Sequence, residues 1–367
     1  DGRGDDLAGA GIGLVLGALL QLLDLERGLV RHFALDLLDQ VLLGVFGSKT
    51  GNALKHFGLA ALDDLDLLVF LVQFPESLQF LVLLDKGLDE DFSKEYIDDV
   101  PSTPVWRGSD YLLFYGKGPV KWEYDSSSQT FVHTNNPYSL YGYYFVTDAT
   151  PTNDMTSVAQ ASGATNRITT YDDYLVHEQE LVSLAKSGRE LYGEDFSGAT
   201  PRTLSTFSSI PGITNEDAKV TMSFVSKVTS GTGVASLSIN QSNVLDVSIR
   251  SNREEYVKAL EGVSTAVWKG EKSEKNSVVV SYNSASHNNV RLNYVRLHFK
   301  RTLQPYGAYT FFRSIASIGN VSRFVVQGAN ANTLVFDVTD AQRVRLMETE
   351  LNGSELTFSI SCFNPMG

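Results

Sequence analysis

Three features of this sequence predict a mainly β fold. Apolar and polar residues alternate with a period of two through much of residues 201–367, aromatic residues crowd residues 106–145, and Gly, Asn and Ser clusters recur at roughly ten-residue intervals between the alternating runs. The expected architecture is a small aromatic-rich β unit with one short helix over 101–200, followed by an antiparallel β-sandwich or jelly-roll-like domain over 201–367. A Leu-rich leader over 1–100, irregular or helical, precedes both. A length of 367 residues is enough for two or three domains and a sizeable core.

The leader is compositionally apart. Residues 1–87 hold 25 Leu, 12 Gly and 10 Asp against one Ile, one Thr and two Ser, so a strand reading is poor and short amphipathic helices are the physical default. The run Leu35 to Leu43 shows the helical spacing. Leu7 to Leu20 is apolar but falls short of the ~20 residues that span a bilayer. The opening Asp-Gly-Arg-Gly-Asp-Asp lacks the basic start of a secretory signal. Gly9, Gly11 and Gly13 follow no strand and are misplaced for a dinucleotide fingerprint. The same composition arises when codons for Gln, Glu, Lys, Asp and Ile are read on the opposite strand, so a mistranslated or poorly ordered segment is the other reading.

In the aromatic unit, Tyr111–Tyr115 and Tyr143–Val146 have strand propensity, with Gly116, Gly118, Pro119, Asn135, Asn136 and Pro137 as turn residues. Residues 150–166 are polar and predict an exposed loop. Asp172 to Leu191 carries Leu175, Val176, Leu181 and Leu184 at spacings that predict the short helix. Beyond residue 200, strands are expected around Val220–Phe224 and Ala235–Ile239. Further strands fit Val278–Tyr282, Val290–Arg301, Ala308–Arg313, Arg323–Gln327, Thr333–Val338 and Glu355–Ser361, with Arg253–Leu260 as a helical turn or two.

Charge and chemistry narrow the function. A net charge of −13 opposes nucleic-acid binding, which needs clustered Lys and Arg. Cys362 is the single cysteine, which excludes an internal disulfide and a Cys-based metal site. As a nucleophile it would need His133, His177, His287 or His298 beside it, whereas its place at the last strand suits a small buried hydrophobe. No metal-ligand motif occurs and no cofactor is implied; the acidic pairs Asp98-Asp99 and Asp172-Asp173 read as solvated loops rather than calcium ligands. Arg296, His298 and Lys300 fall on one face of a strand and form a basic stripe, either an ordinary solvated face or a dock for an acidic domain or anionic glycan. Trp122, Tyr124 and Tyr143 belong to an aromatic cluster that makes either a core or a sugar-stacking platform. These six residues are the candidate binding site.

Asp110-Tyr111-Leu112-Leu113-Phe114-Tyr115-Gly116-Lys117-Gly118-Pro119, Lys121-Trp122-Glu123-Tyr124, Asn136-Pro137-Tyr138-Ser139, His177-Glu178, Tyr192-Gly193-Glu194-Asp195-Phe196, Leu292-Asn293-Tyr294-Val295 and Phe336-Asp337-Val338-Thr339-Asp340 follow in an order that resembles the amino-terminal, non-catalytic region of the PorU-type sortases. Those sortases belong to the type IX secretion system and to the gingipain-like C25 cysteine peptidases. The resemblance covers about residues 108–367. It implies a surface protein of the outer membrane of a Bacteroidota bacterium, whose parent removes carboxy-terminal sorting domains from exported cargo. The implied partners are a downstream C25 peptidase domain, other type IX components, β-rich cargo sorting domains and anionic lipopolysaccharide. It also implies that the catalytic Cys and His lie in a domain beyond Gly367, so this chain is expected to be a fragment, inactive alone. The alternative is a stand-alone glycan- or protein-binding β module.

Overall fold

The computed structural model describes residues 57–60, 72–73, 81–84, 102–108, 111–136, 143–147, 153–186, 190–198, 200–284 and 286–362. The chain is mainly β. Among the described residues the helical elements are the 3-10 turns Ser205–Phe207 and Ile315–Ser317. The contacts divide the chain into two units, one of residues 1–61, 67–117 and 141–154, the other of 62–66, 118–140 and 155–367.

In the first unit, Phe57–Ala60, Tyr143–Thr147, Leu81–Leu84 and Ser102–Thr103 form an antiparallel sheet in that order. Val72–Gln73, Tyr111–Phe114 and Val105–Arg107 form a second. Within the leader, expected to be irregular or helical, the described residues Phe57–Ala60, Val72–Gln73 and Leu81–Leu84 are strands. Pairing with the β-prone Tyr143–Thr147 supplies backbone partners, and such tertiary pairing overrides local propensity. Phe114 packs its ring 5.3 Å from that of buried Tyr144. Leu7–Leu20, the Gly9–Gly13 cluster, Leu35–Leu43 and Asp98-Asp99 lie outside the described residues.

The second unit is built on a sandwich. One sheet runs Thr170–Glu178, His287–Thr302, Ala218–Val228, Leu260–Trp268, and the other Arg202–Thr203, Val278–Asn283, Thr232–Ile239, Ser242–Arg250. All of these pairings are antiparallel. Between the sheets lies a core that includes Val220, Met222, Phe224, Leu237, Ile239, Val280, Leu297 and Phe299. Gly262 lets the edge strand close on the second sheet, since a Cβ there would stand 2.6 Å from Val247 Cγ1. A second core around Phe324, Phe358, Tyr171 and Leu303 involves the sheet Asn166–Ile168, Val321–Val326, Glu355–Ser361, Glu350–Asn352.

Three expected elements change here. The helix over Asp172–Leu191 is instead the strand Thr170–Glu178, which pairs with His287–Thr302 along its whole length. Strands from both sides of residue 200 thus share one sheet. Arg253–Leu260 carries no helix, and Leu260 opens the strand to Trp268. Ala308–Arg313 is not a strand; Arg313 makes only an isolated bridge to Asp172.

One irregularity positions everything that follows. Between the pairs Ser223↔Tyr294 and Phe224↔Leu292 the residue Asn293 has no partner, a bulge. Inward residues before it are even-numbered, Val290 and Leu292; after it they are odd, Val295, Leu297 and Phe299. The parity change turns Tyr294, Arg296, His298 and Lys300 onto the outer face of the sheet.

Candidate functional site

That outer face is covered by a hairpin. Val120–Asp125 and Thr130–Asn135 pair so that Trp122 lies opposite His133 and Tyr124 opposite Phe131, which puts these four on one side. Lys121 and Glu123, on the other side, are exposed and paired at 3.1 Å. At the turn, Asp125 accepts from Ser127 N at 2.9 Å and Ser127 Oγ at 2.7 Å. Those bonds, with help from Ser128, hold its carboxyl far below the usual carboxylate range. Lys219 Nζ, on the sheet, donates to the carbonyls of Ser128 at 2.7 Å and Gln129 at 3.0 Å and pins the turn from below.

The aromatic side of the hairpin meets the sheet ring by ring. Trp122 stacks on Tyr174 with centroids 3.7 Å apart. Phe131 meets His298 edge-on at 5.0 Å, and His133 meets Tyr294 edge-on at 4.9 Å. Arg313 Cζ lies 4.1 Å from the centroid of Tyr174. Such contacts each contribute about 0.5–1.5 kcal/mol beyond area burial.

Charge is matched inside this layer. Asp172 lies opposite Lys300, Tyr174 opposite His298 and Glu178 opposite Tyr294. Asp172 Oδ1 is 2.8 Å from Lys300 Nζ and 3.2 Å from His298 Nε2, and its Oδ2 accepts from Ile315 N at 2.8 Å. Burial alone would push the Asp172 carboxyl up; these donors outweigh it and hold it below the usual value. Glu178 Oε2 is 2.9 Å from His133 Nε2 and accepts from Asn135 Nδ2 at 2.7 Å. Arg296, 5% exposed, donates from Nη1 to His133 Nδ1 at 3.1 Å. Its burial lowers the guanidinium below its ordinary value, an effect opposed by Tyr294 and Glu178. Beside the layer, Arg301 donates from Nη1 to Asp173 Oδ2 at 2.8 Å and stacks 3.8 Å over Tyr306.

Five of the six candidate residues thus converge: Trp122 and Tyr124 from the hairpin, Arg296, His298 and Lys300 from the strand beneath. Tyr143 lies in the strand Tyr143–Thr147, but its side chain falls outside the described residues. The stripe is not a solvated face, and Asp172-Asp173 is not a solvated loop: His298 and Lys300 pair with Asp172, Arg301 pairs with Asp173, and Arg296 bonds to His133. The arrangement locks the hairpin to the sheet. Sequence reasoning missed Asp172, Tyr174 and Glu178 as partners, because reading Asp172–Leu191 as a helix hid the period of two that puts these residues on one face.

His177, on the opposite face of the same strand, is 2.6 Å from Glu194 Oε1 through Nε2 and 2.8 Å from Thr206 Oγ1 through Nδ1. Burial would raise Glu194, but the His177 bond holds it below the usual range. His287 reaches the carbonyls of Ser284 and Ser197. Cys362 packs against the second core; burial pushes its thiol up, outweighing the opposing bond with the Ser317 hydroxyl. That is the reverse of an activated nucleophile. Among the described residues, no three His, Cys, Asp or Glu side chains gather as a metal site.

No family model and no curated protein matches this chain. Among solved structures it is similar to the crystal structure of dimeric latent PorU from Porphyromonas gingivalis, with a TM-score of 0.72 and 24% sequence identity over 80% of this chain. The match spans 29% of the PorU chain. The chain therefore has a PorU-like fold over the matched region.

Proposed function

We propose that this chain is the non-catalytic, β-rich region of a PorU-like sortase of the type IX secretion system, displayed at the outer-membrane surface of a Bacteroidota bacterium. The observation that carries the reading is the fold likeness to PorU over 80% of the chain. The ordered motifs from Asp110 to Asp340 support it independently. In this reading the locked hairpin and sandwich form a stiff scaffold for a C25 peptidase domain, which supplies the nucleophile that Cys362 does not. β-Rich cargo sorting domains, other type IX components and anionic lipopolysaccharide are the partners of the assembled protein.

The test is complementation in a type IX-competent bacterium whose native sortase gene carries an in-frame deletion of the matching region. Restoring it should restore removal of the sorting domain from exported cargo, and the purified chain alone should leave a sorting-domain peptide intact. Cargo processing that persists without the region, or cleavage by the purified chain, overturns the proposal.

A further inference from the structure

At one end of the sandwich the turn after Ile239 and the loop after Trp268 enclose an open cleft of about 670 Å³, within the size range of small-ligand sites. Its walls come from the edge strands of the two sheets, Ser242–Val244 on one side and Val267–Trp268 on the other. Val244 and the exposed Val267 are its apolar part.

Trp268 is 4% exposed and belongs to the sandwich core, yet its indole N–H has no hydrogen-bond partner among the described residues and is not fully enclosed. One face of the ring is closed by Lys272 Nζ, 4.9 Å from its centroid, so the indole is no stacking platform. What it offers is the N–H edge. Gly270 keeps that edge open, since a Cβ at this position would stand 2.8 Å from Trp268 Nε1. Lys269 and Glu271 flank Gly270, both exposed and neither ion-paired among the described residues. Ser242 adds an exposed hydroxyl opposite. Asn240, by contrast, is fixed as rim, donating to Asn276 Oδ1 at 3.1 Å and accepting from Ser277 N at 2.9 Å.

Asn243 donates to Asp246 and Ser273 to the Lys275 carbonyl, so the groups left for a ligand are the fixed Trp268 donor, the Ser242 hydroxyl, Lys269, Glu271 and two valines. Opposite charges cancel, so neither an anion nor a cation is selected. An extended peptide would need an unbroken run of edge backbone. Here the ladder slips between Leu237↔Leu245 and Ser238↔Asn243, leaving Val244 without a partner. Hydroxyls beside small apolar patches are instead the chemistry of a sugar ring. We propose that this cleft binds an uncharged oligosaccharide, with Trp268 donating to a sugar oxygen and Val244 and Val267 meeting an apolar sugar face.

The test is a titration of the isotope-labelled full chain with maltotriose, cellotriose, mannotriose and chitotriose, followed by NMR at the indole N–H signals of Trp106, Trp122 and Trp268. The Trp268 signal, identified by its loss in W268F, should move with at least one sugar while the other two stay fixed. G270A, whose methyl lies against the indole, should weaken binding about tenfold, and W268F about fivefold, the loss of one neutral hydrogen bond. If W268F does not fold, G270A still marks the Trp268 signal and decides the matter. A Trp268 signal that no sugar moves, binding untouched by G270A, or a trigalacturonate or a neutral peptide that binds as well as the sugars overturns the proposal.

Discussion

Arg296 donates to Nδ1 of His133 across 3.1 Å, and this one contact fixes the protonation pattern of the ring. A nitrogen that accepts from a guanidinium carries no proton, so the imidazole hydrogen sits on Nε2 and goes to Glu178 at 2.9 Å. A neutral imidazole thereby links a buried cation to a carboxylate.

Removing His133 leaves Arg296 buried without its acceptor. H133A should lose about 3 kcal/mol in urea unfolding, in the range for stranding a buried charged group. R296M combined with H133F should recover part of the loss, because it removes the stranded guanidinium while Glu178 keeps its bond from Asn135. A double-mutant cycle should therefore show a coupling of about 1–3 kcal/mol.

Trp122 anchors the hairpin through its stack on Tyr174. W122A should cost about 3 kcal/mol and open the hairpin to protease near the Ser126–Ser128 turn, while W122F should keep most of the protection. Limited proteolysis with mass spectrometry locates the cut.

Asp172 predicts acid sensitivity. Its carboxyl is held below the ordinary value of about 3.9, so its contribution is fully present above that pH and lost as pH falls through the lowered folded value. D172N should lower Tm at pH near 7 by removing the charge that faces Lys300 and His298. The Tm gap between wild type and D172N should shrink steadily below about pH 4. A constant gap would mean that the carboxylate charge is not what stabilises.

Gly212 has φ of +70°, and a Cβ there would fall 1.7 Å from the Tyr306 hydroxyl, which itself donates to Thr302 O at 2.9 Å. G212A should cost about 3 kcal/mol by combining backbone strain with displacement of Tyr306. G231A, at φ of +74° with open space around it, isolates the strain alone and should cost only about 1 kcal/mol. Thermal melts of the two variants separate the terms.

Much of the sandwich was legible because its strands alternate. Ala235, Leu237 and Ile239 face the core as their spacing requires, and Glu355–Ser361 is a strand over the residues expected. Arg296, His298 and Lys300 share a face as read, although the reading could not say that a hairpin covers it. Legibility failed where long-range partners decide. Thr170–Glu178 is bordered by leucines at helical spacing, and only pairing with a strand more than a hundred residues later makes it β. Leu81–Leu84 has weak β propensity and is a strand through its partner Tyr143–Thr147. The candidate site was half visible: its cations and aromatics stood out as types, but Asp172 and Glu178 came into view only with the register.

The bond between His133 and Arg296 joins residues 163 positions apart. At about 5–20 residues translated per second, the early hairpin waits on the order of ten to thirty seconds for the strand it will cover. Throughout that interval Trp122, Tyr124 and Phe131 have no native surface to rest on. Any helper that escorts the nascent chain must shield this hairpin first, and can release it only once the second half of the polypeptide has arrived.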